Sequence, residues 1–311
     1  MKLVKFKIII AVFLVWLIFE IIKFLPDDYA HVIFCDVGQG DAILITHRDK
    51  QILVDGGPDE KVLECLNKHM PFGDRSINFL IISHMDLDHI GGLPLVLAKY
   101  EADIILMNQS LKKTDGFEAL KTAISSKNKR KVSESRVISS FVGQQLVLSN
   151  LVRLIVAAPQ VGYQLKNSNN IENSEAILSD KNSQISQKIN DGESENDLSI
   201  AIYVYIGDVA VLLTGDMEEK GELAAIKVGL TDRVDIIKAG HHGSNSSSSR
   251  QFISILRPEI SVISSGENNR YNHPSPRVID IFNEFRARIY MTSSQGTIKF
   301  ISDGVKYWRA I

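Results

Sequence analysis

Cysteine is nearly missing from this chain: Cys35 and Cys65 are the only two in 311 residues. Neither belongs to a C-x-x-C pair or a framework spacing, which excludes a cysteine-ligated metal site and a small disulfide-built domain. Cys35 falls in an apolar run that reads as a buried strand, and both flanking segments look like core. The pair is therefore expected to be two structural thiols rather than a bridge. An excess of one charge is missing too, with 35 Lys and Arg against 37 Asp and Glu and a formal net charge of -2. No overall basic field draws the protein to a polyanion, so any nucleic-acid contact has to be local. After Leu25 no apolar run is long enough to span a bilayer, which excludes a multi-pass channel within these residues. Internal repeats are absent.

What is present starts at the N-terminus, where Lys2, Lys5 and Lys7 precede the apolar run Ile8 to Phe19. Glu20 and Lys23 interrupt its continuation to Leu25, and no A-x-A cleavage site follows. An uncleaved signal anchor over residues 1–29 is expected. The lysines before it would leave the N-terminus in the cytoplasm and place everything beyond about Asp27 outside, as a single-pass protein of the bacterial cell membrane.

Residues 30–311 read as one α/β domain. Short Val- and Ile-rich runs predict strands at His31 to Cys35, Ala42 to Thr46, Gln51 to Val54, Phe79 to Ile82, Ser199 to Tyr205 and Val209 to Leu213. Helical patterns lie between them at Glu60 to His69, Ile90 to Lys99, Phe117 to Ser126 and Glu218 to Val228. Two stacked sheets with helices outside accommodate this order. Residues 162–196, rich in Asn, Ser and Gln with few large apolar side chains, are expected to be a mobile insertion rather than a boundary.

The densest chemistry is Ser83-His84-Met85-Asp86-Leu87-Asp88-His89-Ile90-Gly91-Gly92, directly after the strand Phe79 to Ile82. Imidazoles and carboxylates are ligands that divalent cations take, and a loop at a strand's end can turn alternate residues to one point. A helix-capping turn with Asp88 as N-cap would leave His84 and Asp86 unexplained. Three more groups follow at strand ends beside glycines or in a loop: Thr214-Gly215-Asp216, Lys238-Ala239-Gly240-His241-His242-Gly243-Ser244, and Asn269-Arg270-Tyr271-Asn272-His273-Pro274.

In these stretches the sequence resembles the metallo-β-lactamase superfamily, and within it the hydrolase domain of the ComEC-type competence proteins. The resemblance runs from His31 to the C-terminus and also takes in Asp36-Val37-Gly38-Gln39-Gly40-Asp41-Ala42, Val54-Asp55-Gly56-Gly57 and Asn196-Asp197-Leu198-Ser199. It implies an αββα sandwich with metals at one edge of the sheets. It implies His84 and Asp86 as ligands of a first ion, Asp88 and His89 of a second, Asp216 bridging both, and His241, preferred over His242, completing the second site. Asp55 is implied as the residue that orients a ligating imidazole without touching metal. The superfamily's second cluster histidine is replaced by Asp86, a harder ligand that moves preference from zinc toward manganese or magnesium, with zinc still open. No histidine lies between His89 and His241, and Asp197 is the expected substitute ligand.

Two divalent ions can activate a water and hold the oxygens of a phosphodiester in line. Asp88 and His273 are the candidate catalytic residues, with His273 a candidate for protonating the leaving oxygen or gripping a phosphate. Lys238, His242, Ser244 and Arg270 are candidate substrate contacts, although for Lys238 a surface lysine at a strand end is the plainer reading. The implied activity is a metal-dependent nuclease, with single-stranded DNA favoured because it needs fewer phosphate contacts than a duplex. Hydrolysis of another ester, such as a lipid-head-group phosphodiester, and a non-catalytic binding module are the alternatives. No protein partner is legible in the sequence.

Overall fold

The computed structural model describes residues 2–22, 26–108, 114–129, 135–158 and 194–310. Side-chain alternation along the strands sets its layers. In β1 (Ala30–Phe34), Val32 and Phe34 enter one apolar cluster and Ile33 another on the opposite face, as a period of two requires.

β1 sits inside a sheet ordered β15-β14-β1-β2-β3-β4-β5-β6, built with Ile43–His47 (β2), Lys50–Val54 (β3), Ser76–Ile81 (β4), Glu101–Leu106 (β5), Arg136–Ile138 (β6), Ile298–Ser302 (β14) and Tyr307–Arg309 (β15). The second sheet runs β13-β12-β11-β10-β9-β8-β7, from Gln145–Val147 (β7), Val152–Ala158 (β8), Ala201–Ile206 (β9), Val209–Leu213 (β10), Ile236–Lys238 (β11), Ile260–Ile263 (β12) and Arg288–Met291 (β13). Val32, Phe34, Ile45 and Ile52 meet Val204, Val211, Ile236 and Val262 between the sheets. Helices α2 (Lys61–His69), α4 (Leu93–Lys99) and α5 (Asp115–Lys129) cover the outer face of the first sheet through Leu66, Val96 and Leu120. Helices α6 (Glu219–Lys227), α7 (Arg250–Leu256) and α8 (Pro276–Glu284) cover the second through Ala225, Phe252 and Phe282. This is the expected αββα sandwich.

β3 to β6 are parallel, and so are β10 to β13. The carboxyl ends of several strands therefore emerge along one edge of each sheet, where ligand sites of α/β folds gather. The helix expected over Ile90 to Lys99 divides into α3 (Leu87–Ile90) and α4. The cause is close backbone packing at the two glycines between them: a Cβ on Gly91 would stand 2.2 Å from the Pro58 carbonyl oxygen, and one on Gly92 2.2 Å from that of Gly56.

Two expectations are overturned. The N-terminal helix α1 (Lys2–Ile22) forms, but among the described residues no helix is long and apolar enough to cross a membrane. The uninterrupted run Ile8 to Phe19 is 12 residues, bounded by Lys7 and Glu20, whereas a spanning helix needs about 20. The membrane anchor and the single-pass location fall with it. Cys35 and Cys65 are joined in a disulfide, their Cα atoms 5.9 Å apart. The end of β1 and the inner face of α2 pack in the same apolar layer, so the burial that spoke for separate thiols instead brings the two sulfurs together. The insertion expected at 162–196 lies outside the described residues except for its last three.

Candidate metal centre

Asp55 begins the construction. It follows β3 in the left-handed region, with φ 59°, and its amide donates to the Ile81 carbonyl at 2.9 Å. Its carboxylate is buried and takes three hydrogen bonds: from the Ser83 amide at 2.8 Å, from Ser83 Oγ at 2.6 Å and from His89 Nδ1 at 2.8 Å. With its Nδ1 proton held there, His89 presents Nε2 to the cluster.

Asp216, after β10, is the centre of that cluster. Its Oδ1 lies 3.2 Å from His89 Nε2. Its Oδ2 lies 3.3 Å from His242 Nε2, 3.8 Å from His241 Nε2 and 3.9 Å from His84 Nε2. His242 is fixed as His89 is, its Nδ1 donating to the Ser264 carbonyl at 2.9 Å. Its Nε2 is then 3.3 Å from Asp88 Oδ2 and 3.3 Å from His89 Nε2. His241 and His242 both adopt left-handed backbone, φ 44° and 54°. Consecutive non-glycine residues in that region cost roughly 1–2 kcal/mol each. The strain turns the two neighbouring rings to the same aspartate.

The donor atoms fall into two groups that share Asp216. One holds Asp88 Oδ2, His89 Nε2 and His242 Nε2, with contacts of 3.2 and 3.3 Å. Ligands about 2.0–2.1 Å from a tetrahedral cation stand roughly 3.4 Å from one another, so this group has the span of a coordination shell. The other holds His84, Asp86 and His241, with His84 Nε2 3.8 Å from Asp86 Oδ2. Buried His84 Nε2 has no hydrogen-bond partner and points toward two carboxylates, Asp86 at 3.8 Å and Asp216 at 3.9 Å. Asp41, Asp55, Asp86, Asp88 and Asp216 converge here against one buried ammonium, Lys238, which suits divalent cations.

The titration directions follow from the same contacts. Burial alone would pull His89 down, yet Asp216 and Asp55 hold it well above the ordinary histidine value. Burial likewise opposes, and Asp216 outweighs, in pushing His242 up to about 9. Burial and the neighbouring His89 charge push His84 down to about 4. Burial would raise Asp88, but the His242 hydrogen bond and the His89 charge hold it below the carboxylate range.

Several expected residues lie elsewhere than expected. Asp197 does not reach the cluster: its carboxylate accepts from the Gly221 amide at 3.0 Å and Ser194 Oγ at 3.2 Å, serving the first turn of α6. His242, expected as a substrate contact, is fully buried among the donors. His241 sits toward the rim with its Nδ1 3.0 Å from Glu218 Oε1. Lys238 is neither at the surface nor open to substrate: its Nζ is 2.5 Å from Asp41 Oδ2 and 2.9 Å from the Gly215 carbonyl. Ser244 pairs with Ser246, Oγ to Oγ at 3.0 Å, and Arg270 is exposed over Tyr271. His273 packs edge-on against His241, ring centres 5.6 Å apart, with a buried Nδ1 that has no hydrogen-bond partner. Burial and the His241 and His242 charges push it down to about 4.

Asp41 is the residue that sequence reasoning passed over. Asp41, His89, Asp216 and His242 each offer a ligand atom, all within 4.8 Å of one another. Asp41, however, lies on the Nδ1 side of both rings, at 3.8 Å from His242 and 3.9 Å from His89, and is paired with Lys238. That pairing makes it a supporting carboxylate, while Asp88 faces the Nε2 atoms. The signal for it was the run Gly38-Gln39-Gly40-Asp41: a Cβ on Gly40 would stand 2.1 Å from the Asp88 carbonyl, so only glycine lets the loop carry Asp41 beneath Asp88.

Fold and site resemble those of the metallo-β-lactamase superfamily, and residues 35–161 match the family model described as "Metallo-beta-lactamase superfamily". The chain also resembles the ComEC-type competence proteins. It is 28% identical over 295 residues to "ComE operon protein 3" of Bacillus subtilis, covering 85% of this chain and 32% of that protein. It is 27% identical over 286 residues to "Recombination protein 2" of Haemophilus influenzae, covering 88% of this chain and 29% of that one. The chain thus spans about a third of the length of these relatives. Among solved structures, the metallo-β-lactamase fold protein YhfI from Bacillus subtilis superposes with a TM-score of 0.50 at 10% identity, covering 90% of this chain and all of that one.

Proposed function

We propose that this chain is a two-metal phosphodiesterase that hydrolyses DNA, single strands in preference to duplex. The observation that carries the reading is Asp216, one carboxylate shared by two sets of donor atoms, His84, Asp86 and His241 on one side and Asp88, His89 and His242 on the other. In this assignment the two histidines of the 241–244 turn divide between the sets, which answers the lack of a histidine between His89 and His241. The relatives named for competence and recombination support a nucleic acid as substrate.

Bound at these two sets, divalent cations, manganese or zinc with magnesium as a further candidate, supply Lewis acidity toward a phosphodiester oxygen and acidify water near neutral pH. The residues of the chain do the rest. Asp55, the Ser264 carbonyl and Glu218 hold the Nδ1 side of His89, His242 and His241, so all three rings face Asp216 with Nε2. Lys238 lies between Asp41, at 2.5 Å, and Asp216 Oδ1, at 3.4 Å, and compensates part of the pocket's negative charge. His273, a neutral ring at pH 7, grips a phosphate oxygen by a hydrogen bond rather than supplying a proton from a charged form.

A substrate panel tests the reading: labelled single-stranded DNA, duplex DNA and a glycerophosphodiester, each with manganese, magnesium or zinc. Fastest turnover on single-stranded DNA is expected. Turnover confined to the glycerophosphodiester would overturn it.

A further inference from the structure

Outside the metal centre, the loop between β12 and α8 holds an exposed aromatic that the reaction itself does not use. Tyr271 is 51% exposed, although a large ring in a rigid loop usually finds cover. Its ring stacks on His273, centres 5.6 Å apart and planes 24° from parallel. His273 in turn meets the edge of His241 at 5.6 Å, and His241 faces Asp216. A line of π faces therefore runs from solvent to the metal centre. Asn269 fixes it: its Oδ1 accepts from the amides of Tyr271 at 3.2 Å and His273 at 2.9 Å, and its Nδ2 donates to the His273 carbonyl at 2.7 Å. The Arg270 guanidinium lies over the Tyr271 ring, 4.8 Å from its centre, and its Nη2 donates to Tyr271 Oη at 2.6 Å, so a base arriving on that face takes the place of an exposed guanidinium that is then free to meet the phosphate.

We infer that Tyr271 is a base-stacking subsite: an unpaired nucleobase lies on its ring while the phosphate beside it is directed past Arg270 and His273 toward Asp216. Every base has a π face and only an unpaired one can reach it, so the subsite accepts single strands without sequence preference. The ring is a substrate-binding group, and the inference rests on the nucleic-acid reading above.

The test is kept apart from turnover. Fluorescence anisotropy with EDTA present measures binding of a labelled oligothymidylate and of an abasic strand of the same length. A base–aromatic stack is worth about 1–3 kcal/mol, roughly 5- to 150-fold in affinity, so the full chain is expected to prefer the thymidylate by a factor in that range. Tyr271→Ala is expected to collapse the ratio toward one, and Tyr271→Trp to keep it. A wild-type ratio of one, or a ratio unchanged in Tyr271→Ala, would overturn the subsite. Failure of the nuclease reading shows differently, as absence of cleavage with every metal while the base preference in binding persists.

Discussion

Lys238 Nζ lies 2.5 Å from Asp41 Oδ2, and neither group reaches solvent. Burial would lower the lysine, and the carboxylates of Asp41 and Asp216 more than restore it. A buried pair of this kind is worth little against an apolar replacement of both partners, but it is costly to break from one side. Lys238→Met alone is expected to lose about 3–5 kcal/mol in urea unfolding. Lys238→Met with Asp41→Leu is expected to lose less than the sum of the single changes.

The Cys35–Cys65 bridge closes a loop with a sequence separation of 30. By the chain-entropy relation a loop of that size contributes about 3–4 kcal/mol. Reduction under native conditions, or Cys35→Ala with Cys65→Ala, is expected to lower unfolding stability by that order. Thiol titration of the non-reduced, denatured chain should find no free thiol.

A pH dependence follows from His69, far from the metal centre. Burial, with the Lys299 and Lys68 charges behind it, pushes this ring down to about 4. The folded chain therefore holds the proton less tightly than the unfolded chain, whose ring titrates near 6.5. Stability from the neutral ring is complete above that value and is lost as pH falls from about 6.5 toward about 4. His69→Gln should flatten that part of the profile, measured by urea unfolding at stepped pH. An unchanged slope would count against the assignment.

Asp197 and His242 make a contrasting pair. His242→Ala removes a donor from one set and is expected to reduce bound manganese from two equivalents per chain to one, read by metal analysis after dialysis. Asp197→Ala should leave both equivalents in place and cost about 1 kcal/mol of stability, the usual worth of a carboxylate on the first turn of a helix. Loss of metal in Asp197→Ala would return that residue to the ligand set.

How far the sequence reached is clear from particular residues. His84, Asp86, Asp88 and His89 stand out in the sequence because four donors within six positions follow an apolar strand, and the parallel topology brings that strand end to the edge where Asp216 emerges. The orientation of His241 and His242 leaves no such trace, since their left-handed backbone breaks the alternation that would assign one ring inward and one outward. Lys238 read as a surface residue because its partner Asp41 lies in a distant glycine-rich turn, and pairing across two sheets leaves no local trace. Asp197 read as a ligand on its motif alone; only the fold shows the Gly221 amide taking its carboxylate.

The two donor sets around Asp216 are proposed to hold metal for phosphodiester hydrolysis. The most direct test is release of nucleotides from end-labelled single-stranded DNA by the full chain with manganese, beside a variant carrying Asp88→Ala and His89→Ala. Manganese-dependent release is expected that EDTA stops and the variant lacks, a loss of at least about 100-fold. Release by the variant at the wild-type rate, or none from the wild type with manganese, magnesium or zinc, would contradict that role.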